Sequence, residues 1–210
     1  MTRFFKNLWA LKIQAFSLVE LGIVLIIMGV LVGAVLKGQD LLQVAKVNSV
    51  LEDIKRYRNI IAMYQHTYGE WPGDDPKAAE RFEGAENGNG DGVIDDADET
   101  LVWKHLMYAG SLSHGDIPSS KLGGKYRLAS NPAQGFSGVW LMLGAGNQAR
   151  GALLTPKQAQ SIKMRADDGK ANQGMIRFME GEGAQGNCLN GDVLNLSNPN
   201  PACVLLTHVE

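Results

Sequence analysis

Apolar and polar positions divide this chain into three stretches. From Phe16 to Leu36 only Ser17 and Glu20 interrupt a run of apolar and glycine residues. As a helix the run would be about 31 Å long, enough to cross the hydrocarbon core of a bilayer. Beyond Asp40 the apolar positions come in steps of three and four: Leu42, Val44, Ala45, Val47, Val50, Leu51, Ile54, Tyr57, Ile60, Ile61 and Tyr64. Lys46, Asn48, Glu52, Asp53, Lys55, Arg56 and Arg58 lie elsewhere. This spacing predicts an amphipathic continuation of the same helix, to about residue 68. Trp71-Pro72-Gly73 is expected to end it, since neither Pro nor Gly continues a helix comfortably.

The third stretch, residues 69–210, mixes short elements. Leu101–Tyr108 reads as part of a helix over Glu99–Ala109, with Trp103 and Leu106 inward and Gly110 as its stop. Strand-like segments are Lys125–Ala129, Phe136–Leu143, Gly174–Met179 and Val204–Val209, the second apolar enough for a central strand. Thr155-Pro156 begins a helix running to about Arg165, with a capping hydroxyl and a proline in the first turn. The class is α+β, with a long N-terminal hydrophobic helix and one globular domain.

Charge gives the first run its direction. Residues 1–15 carry Arg3, Lys6 and Lys12 and no acid. A secretory signal peptide places its small-residue cleavage site after the apolar core. Here the small residue, Ala15, precedes the core. Cleavage after Ala15 would leave 195 residues beginning at Phe16, with the hydrophobic helix retained and Glu20 as the fifth residue. The mature chain would hold 17 Lys and Arg against 22 Asp and Glu, about −5, where the whole chain is −2. That balance argues against nucleic acid as a general partner. The basic leader predicts a cytoplasmic N-terminal side. Glu20 stands out, because a charge at the centre of a spanning helix costs about 2.5–3.5 kcal/mol and less near its end. A positive amine at Phe16 could pair with the Glu20 carboxylate of another copy, which in low dielectric fixes stagger more than it adds stability.

Ala15-Phe16-Ser17-Leu18-Val19-Glu20, after a basic leader and before an apolar helix, resembles the prepilin signature of type IV pilins and type II secretion pseudopilins. Ala15 stands where many of that family have Gly, and Lys37 where many have a helix-kinking Pro. The resemblance implies a pilin-like fold, in which the long helix packs on a globular domain with an antiparallel sheet. It implies cleavage between Ala15 and Phe16 by a prepilin peptidase and methylation of the Phe16 amine. It also implies assembly through Glu20 with other pilin or pseudopilin subunits, on an inner-membrane platform. The anchor would cross the inner membrane once, over residues 16–36, with the domain in the periplasm and the filament there or at the cell surface.

Within the domain, Asn87 to Asp98 is the candidate metal loop. Asn87, Asn89, Asp91, Asp95 and Asp98 put oxygens at loop positions 1, 3, 5, 9 and 12; Val93 would lend its carbonyl at 7, with Gly92 at 6. That is the EF-hand pattern for calcium, in a form closer to the shorter dockerin-type loop. Asn-Gly and Asp-Gly steps also make turns without any metal, so both readings stand. A calcium ion here would be structural. His105 has no second ligand at metal spacing and reads as structural or surface. Asp167-Asp168-Gly169 reads as a turn rather than a carboxylate dyad, and no nucleophile, phosphate loop or zinc cluster points to an enzyme. Cys188 and Cys203, the only cysteines, read as a disulfide if the domain is exported; two buried thiols are the alternative. The pair resembles the C-terminal disulfide loop of type IV pilins.

Overall fold

The structure, a computed structural model, describes residues 17–166 and 170–209. The chain divides into two units between Gln43 and Val44. Helix α1 spans Leu18–Tyr68. In the first unit its apolar side chains are exposed, Leu18 at 88% and Leu25 at 72%. Over this part the helix is long and apolar enough to cross a membrane, a length and composition shared by anchors and signal sequences.

In the second unit α1 buries Val47, Val50, Ile54, Tyr57, Ile61 and Tyr64, spaced by three and four. Leu42, Val44 and Ala45 of the expected stripe remain exposed. The helix stops at Gly69 rather than at Trp71-Pro72-Gly73. Gly69 takes φ +79°, and its N–H donates to the Gln65 carbonyl at 2.8 Å. A left-handed residue after the last turn satisfies a carbonyl that the helix leaves open, and glycine adopts it without a Cβ clash.

Short helices α2 (Ala78–Arg81) and α3 (Glu99–Tyr108) follow, then strands β1 (Lys125–Ser130) and β2 (Val139–Gly144), helix α4 (Pro156–Ala166), β3 (Ile176–Glu180), β4 (Leu189–Asn190), β5 (Val193–Leu194) and β6 (Cys203–His208). The main sheet has the order β1-β2-β6-β3, with every pair antiparallel. Strand β2 is an inner strand buried at every position, which is why its sequence shows no alternation. Leu141 and Leu143 share the main core with Tyr57, Trp103, Tyr126, Ile162 and Phe178, while Trp140 and Met142 join Val204 and Leu206 in a smaller cluster. Tyr57 of α1 meets the rings of Trp103 and Tyr126 edge-on, at centroid distances of 5.4 and 4.9 Å. Such ring pairs add about 0.5–1.5 kcal/mol each beyond their buried area.

Helix α4 begins with a reciprocal cap. Gln158 N–H donates to Thr155 Oγ1 at 3.2 Å, and Thr155 N–H donates to Gln158 Oε1 at 3.0 Å. Its Lys163 is fully buried and donates to the carbonyls of Ile176, at 2.5 Å, and Gln173, tying α4 to the start of β3. The expected turn at Asp167-Asp168-Gly169 lies outside the described residues.

Cys188 and Cys203 form a disulfide, with Cα atoms 4.9 Å apart and 15 residues of separation. Glu180 secures the same place, since its carboxylate accepts the N–H groups of Cys188 at 2.7 Å and Leu189 at 2.9 Å. Replacing both cysteines by Ser should lower stability by about 3 kcal/mol on the chain-entropy account. Chemical denaturation of the two proteins measures it, with a drop in the midpoint as the expected result.

Candidate functional site

The loop from Asn87 to Asp98 is built from Asx turns. Asp91 N–H donates to Asn89 Oδ1 at 3.3 Å, Val93 N–H to Asp91 Oδ1 at 2.8 Å, and Ala97 N–H to Asp95 Oδ1 at 2.7 Å. Asp95 N–H donates to Asp98 Oδ2 at 3.1 Å, closing the second half of the loop. Asn89 and Asp91 also join side chain to side chain, at 2.9 Å. Asn87 turns elsewhere: its Oδ1 accepts the Ala79 N–H at 2.8 Å, on α2. Gly92 takes φ +79°, the left-handed geometry that the sixth loop position asks of glycine. Between the two halves Ile94 is buried and anchors the loop to β1, by Ile94 N–H to Ser130 Oγ and Ser130 N–H to the Ile94 carbonyl, both 2.9 Å. Asp96 leans away toward the sheet and pairs with Arg127 and Arg150.

Two acids that sequence reasoning passed over hold this loop from below. Asp74 is fully buried and accepts Asp91 N–H at 3.0 Å and Gly92 N–H at 2.9 Å, while its backbone carbonyl accepts Gly90 N–H at 3.0 Å. Asp75, equally buried, accepts the Tyr64 hydroxyl at 2.8 Å and Lys77 N–H at 2.9 Å and pairs with Arg81. Burial pushes the Asp75 carboxyl up, but the Lys77 amide, Tyr64 and Arg81 outweigh it and leave its pKa below the ordinary value. The signal was there in Pro72-Gly73-Asp74-Asp75-Pro76: two acids between turn formers have local N–H groups to serve. The packing is tight enough that a Cβ on Gly88 would stand 2.3 Å from the Gly73 carbonyl oxygen.

His105 is a core residue. Gly73 N–H donates to its Nδ1 at 2.9 Å, and its Nε2 donates to the Glu86 carbonyl at 2.8 Å, which assigns the neutral tautomer. The ring stacks near Tyr64, with centroids 6.2 Å apart. Burial lowers its pKa, against the opposing pull of the Glu86 carbonyl and of Asp75, Asp98 and Glu86.

Asp98 is the loop's electrostatic weak point. Burial raises its pKa first; the Asp95 amide offsets part of that, and the charges of Asp95, Asp74 and Asp91 raise it further. The donor set is all oxygen, as a hard cation such as calcium requires. Among the described residues, no three His, Cys, Asp or Glu side chains are grouped as a metal centre would need.

The other candidate site lies on α1. Glu20 sits exposed in the first turn, where an acid suits the positive end of the helix dipole. Around it Leu18, Val19, Leu21 and Ile23 are at least half exposed. Ser17 starts the turn, accepting Leu21 N–H on its carbonyl at 3.1 Å and Val19 N–H on Oγ at 3.3 Å. Among the described residues Glu20 forms no ion pair. Ala15 and Phe16, the expected processing step, lie outside the described residues.

No family model, curated protein or solved structure matches this chain.

Proposed function

We propose that this protein is a structural subunit of a type IV pilus or a type II secretion pseudopilus. A prepilin peptidase cuts it between Ala15 and Phe16, methylates the new amine, and leaves it to assemble through its N-terminal helix. The observation that carries this reading is one arrangement of residues: a basic leader, Ala15, Phe16 and Glu20 in register ahead of an apolar helix. The exposed apolar surface of that helix supports it, because a lipid bilayer and later neighbouring subunits would cover what water cannot. The fold is then pilin-like, the helix crosses the inner membrane once, and the domain stands in the periplasm beside its assembly platform. The test is the chemistry of the mature N-terminus, which should be a methylated Phe16.

The same reading assigns a structural calcium ion to the loop, with Asn89, Asp91, Asp95, Asp98 and the Val93 carbonyl as its donors, joined by Asn87 once its amide oxygen exchanges the Ala79 N–H for the ion. The charge gathered around the buried Asp98 supports it, since a divalent cation would relieve what no cationic side chain of the loop does. Calcium at a hundred times its Kd should stabilise the domain by about 2.7 kcal/mol. Thermal melts with calcium and with chelator measure the shift, and Asp91→Ala should abolish it. Equal melting temperatures in the two conditions would dismiss the ion. A non-polymerising, membrane-anchored periplasmic module that binds calcium or adheres is the second reading, favoured if the loop binds calcium and the leader is never removed.

A further inference from the structure

Three Asn-Gly steps occur in the chain, Asn87-Gly88, Asn89-Gly90 and Asn190-Gly191, and the structure treats them differently. An Asn-Gly step deamidates when the glycine's backbone nitrogen, having lost its proton, attacks the asparagine Cγ. The C–N bond formed closes a succinimide ring, and the side-chain amide leaves as ammonia. Water then opens the ring at either carbonyl, giving aspartate or isoaspartate, with no change of oxidation state. Glycine permits the reaction because no Cβ obstructs the ring. A backbone N–H held in a hydrogen bond is withdrawn from it.

Both steps of the loop are held at both reacting groups. Gly88 N–H donates to the Asp75 carbonyl at 2.8 Å, while the Asn87 amide oxygen is occupied by Ala79 N–H at 2.8 Å. Gly90 N–H donates to the Asp74 carbonyl at 3.0 Å, and the Asn89 amide is bonded through both its oxygen and its nitrogen to Asp91. The third step is open. Asn190 ends the two-residue strand β4, and Gly191 begins the turn to β5 at φ +62°. Both residues are exposed, and a Cβ at Gly191 would meet nothing within 4 Å. Among the described residues neither the Gly191 N–H nor the Asn190 side chain has a hydrogen-bond partner. The hairpin's own ladder is two residues long, and its further ties, Glu180 to the Leu189 N–H and Asn172 to Asp192, do not engage the Gly191 N–H or the Asn190 side chain.

We propose that Asn190 is a site of spontaneous deamidation in the folded protein, and that Asn87 and Asn89 are protected from it. Conversion places a new carboxylate two residues from Asp192, which itself accepts the Asn172 amide at 2.6 Å. The tip of the disulfide-closed segment thus gains negative charge with the age of the molecule. The full chain, purified in detergent micelles and incubated at mildly alkaline pH, tests this by peptide mass spectrometry. Aspartate and isoaspartate should accumulate at position 190 roughly tenfold or more faster than at 87 or 89, and unfolding in urea should make the three rates comparable. Asn190→Gln should remove the product at 190 without changing the melting temperature. Asp74→Ala, which removes the carboxylate that holds the Asp91 and Gly92 N–H groups and so loosens the loop around Gly90, should speed conversion at Asn89 and leave Asn190 unaffected. Intact Asn190 in folded protein, under conditions that convert all three sites in urea, would overturn the proposal. So would folded protein in which 87 or 89 converts as fast as 190.

Discussion

Replacing Glu20 by Ala should abolish filament assembly while leaving leader removal and the folded domain unchanged. Glu20 belongs to a different unit from the buried core, is exposed in the first turn of α1, and forms no ion pair among the described residues. Processing, on the proposed function, would read the leader, Ala15 and Phe16, all N-terminal to it. Assembly is different, because the Phe16 amine of an incoming subunit would enter an apolar environment with its positive charge. A carboxylate there neutralises it, and removing one partner of a buried pair costs about 3–5 kcal/mol through the charge left behind. That is roughly two to four orders of magnitude in the association constant at each added subunit. Glu20→Gln should fail almost as badly, since the amide keeps the shape and loses the charge. Filament yield after shearing, set against the amount of processed subunit in the membrane, measures the effect. Wild-type filament yield from Glu20→Ala would remove the charge pair from the account.

His105→Ala should destabilise the domain by about 3–5 kcal/mol, the sum of a large core cavity and two orphaned backbone groups. The ring is fully buried, and among the described residues it alone satisfies the Gly73 N–H and the Glu86 carbonyl that it bridges. Both lie in the segments that meet beneath the 87–98 loop, so the loss should also loosen the anchoring by Asp74 and Asp75. A second readout separates the imidazole from the cavity. Burial lowers the His105 pKa, so the folded state resists a proton that the unfolded chain accepts. Stability is therefore complete above the ordinary histidine value of 6.5 and declines as pH falls below it. Asp75, whose pKa is also lowered, acts in the same direction but in a lower window; its stabilisation is lost only as pH falls below the ordinary carboxylate value of 3.8. His105→Gln should thus be less stable at pH 7 yet show a flatter decline between pH 7 and pH 5. Denaturant melts across that range decide it, and parallel slopes for the two proteins would contradict a neutral, buried imidazole.

How far the chain could be read depended on whether a residue's role was periodic or local. The α1 stripe was legible from Val47 to Tyr64 because a helix that buries one face repeats its apolar positions every three or four residues. The extension of that stripe through Leu42, Val44 and Ala45 is real in sequence but is not buried within the chain, since periodicity marks an apolar face without saying what covers it. All four strands of the main sheet fell within a few residues of their expected places, since β2 and β6 are continuous apolar runs and β1 and β3 place an arginine between apolar residues in the strand manner. Strands β4 and β5 were missed because two residues cannot display a pattern. Gly69 was overlooked beside the louder Trp71-Pro72-Gly73, although one left-handed glycine suffices to stop a helix.

In the candidate loop, the glycine at position 6 and the Asx character of Asn89, Asp91 and Asp95 were visible, since these depend on neighbours two residues away. The anchoring was not. Asp74 reaches residues 17 and 18 positions further on, and Ile94 meets Ser130 across 36, distances that no local motif encodes. Cys188 and Cys203 were readable as a pair because they are the only two in the chain, and the structure joins them.

Whether this chain is processed as a prepilin is decided by the first residue of its mature form. The full-length gene should be expressed in a cell that has a prepilin peptidase, and the N-terminal peptide of the membrane-bound protein sequenced by mass spectrometry. A processed prepilin gives a peptide that begins at Phe16, carries one methyl group on its α-amine, and lacks residues 1–15. A peptide that retains Met1 or the basic leader, in cells that process a known prepilin normally, would contradict such processing.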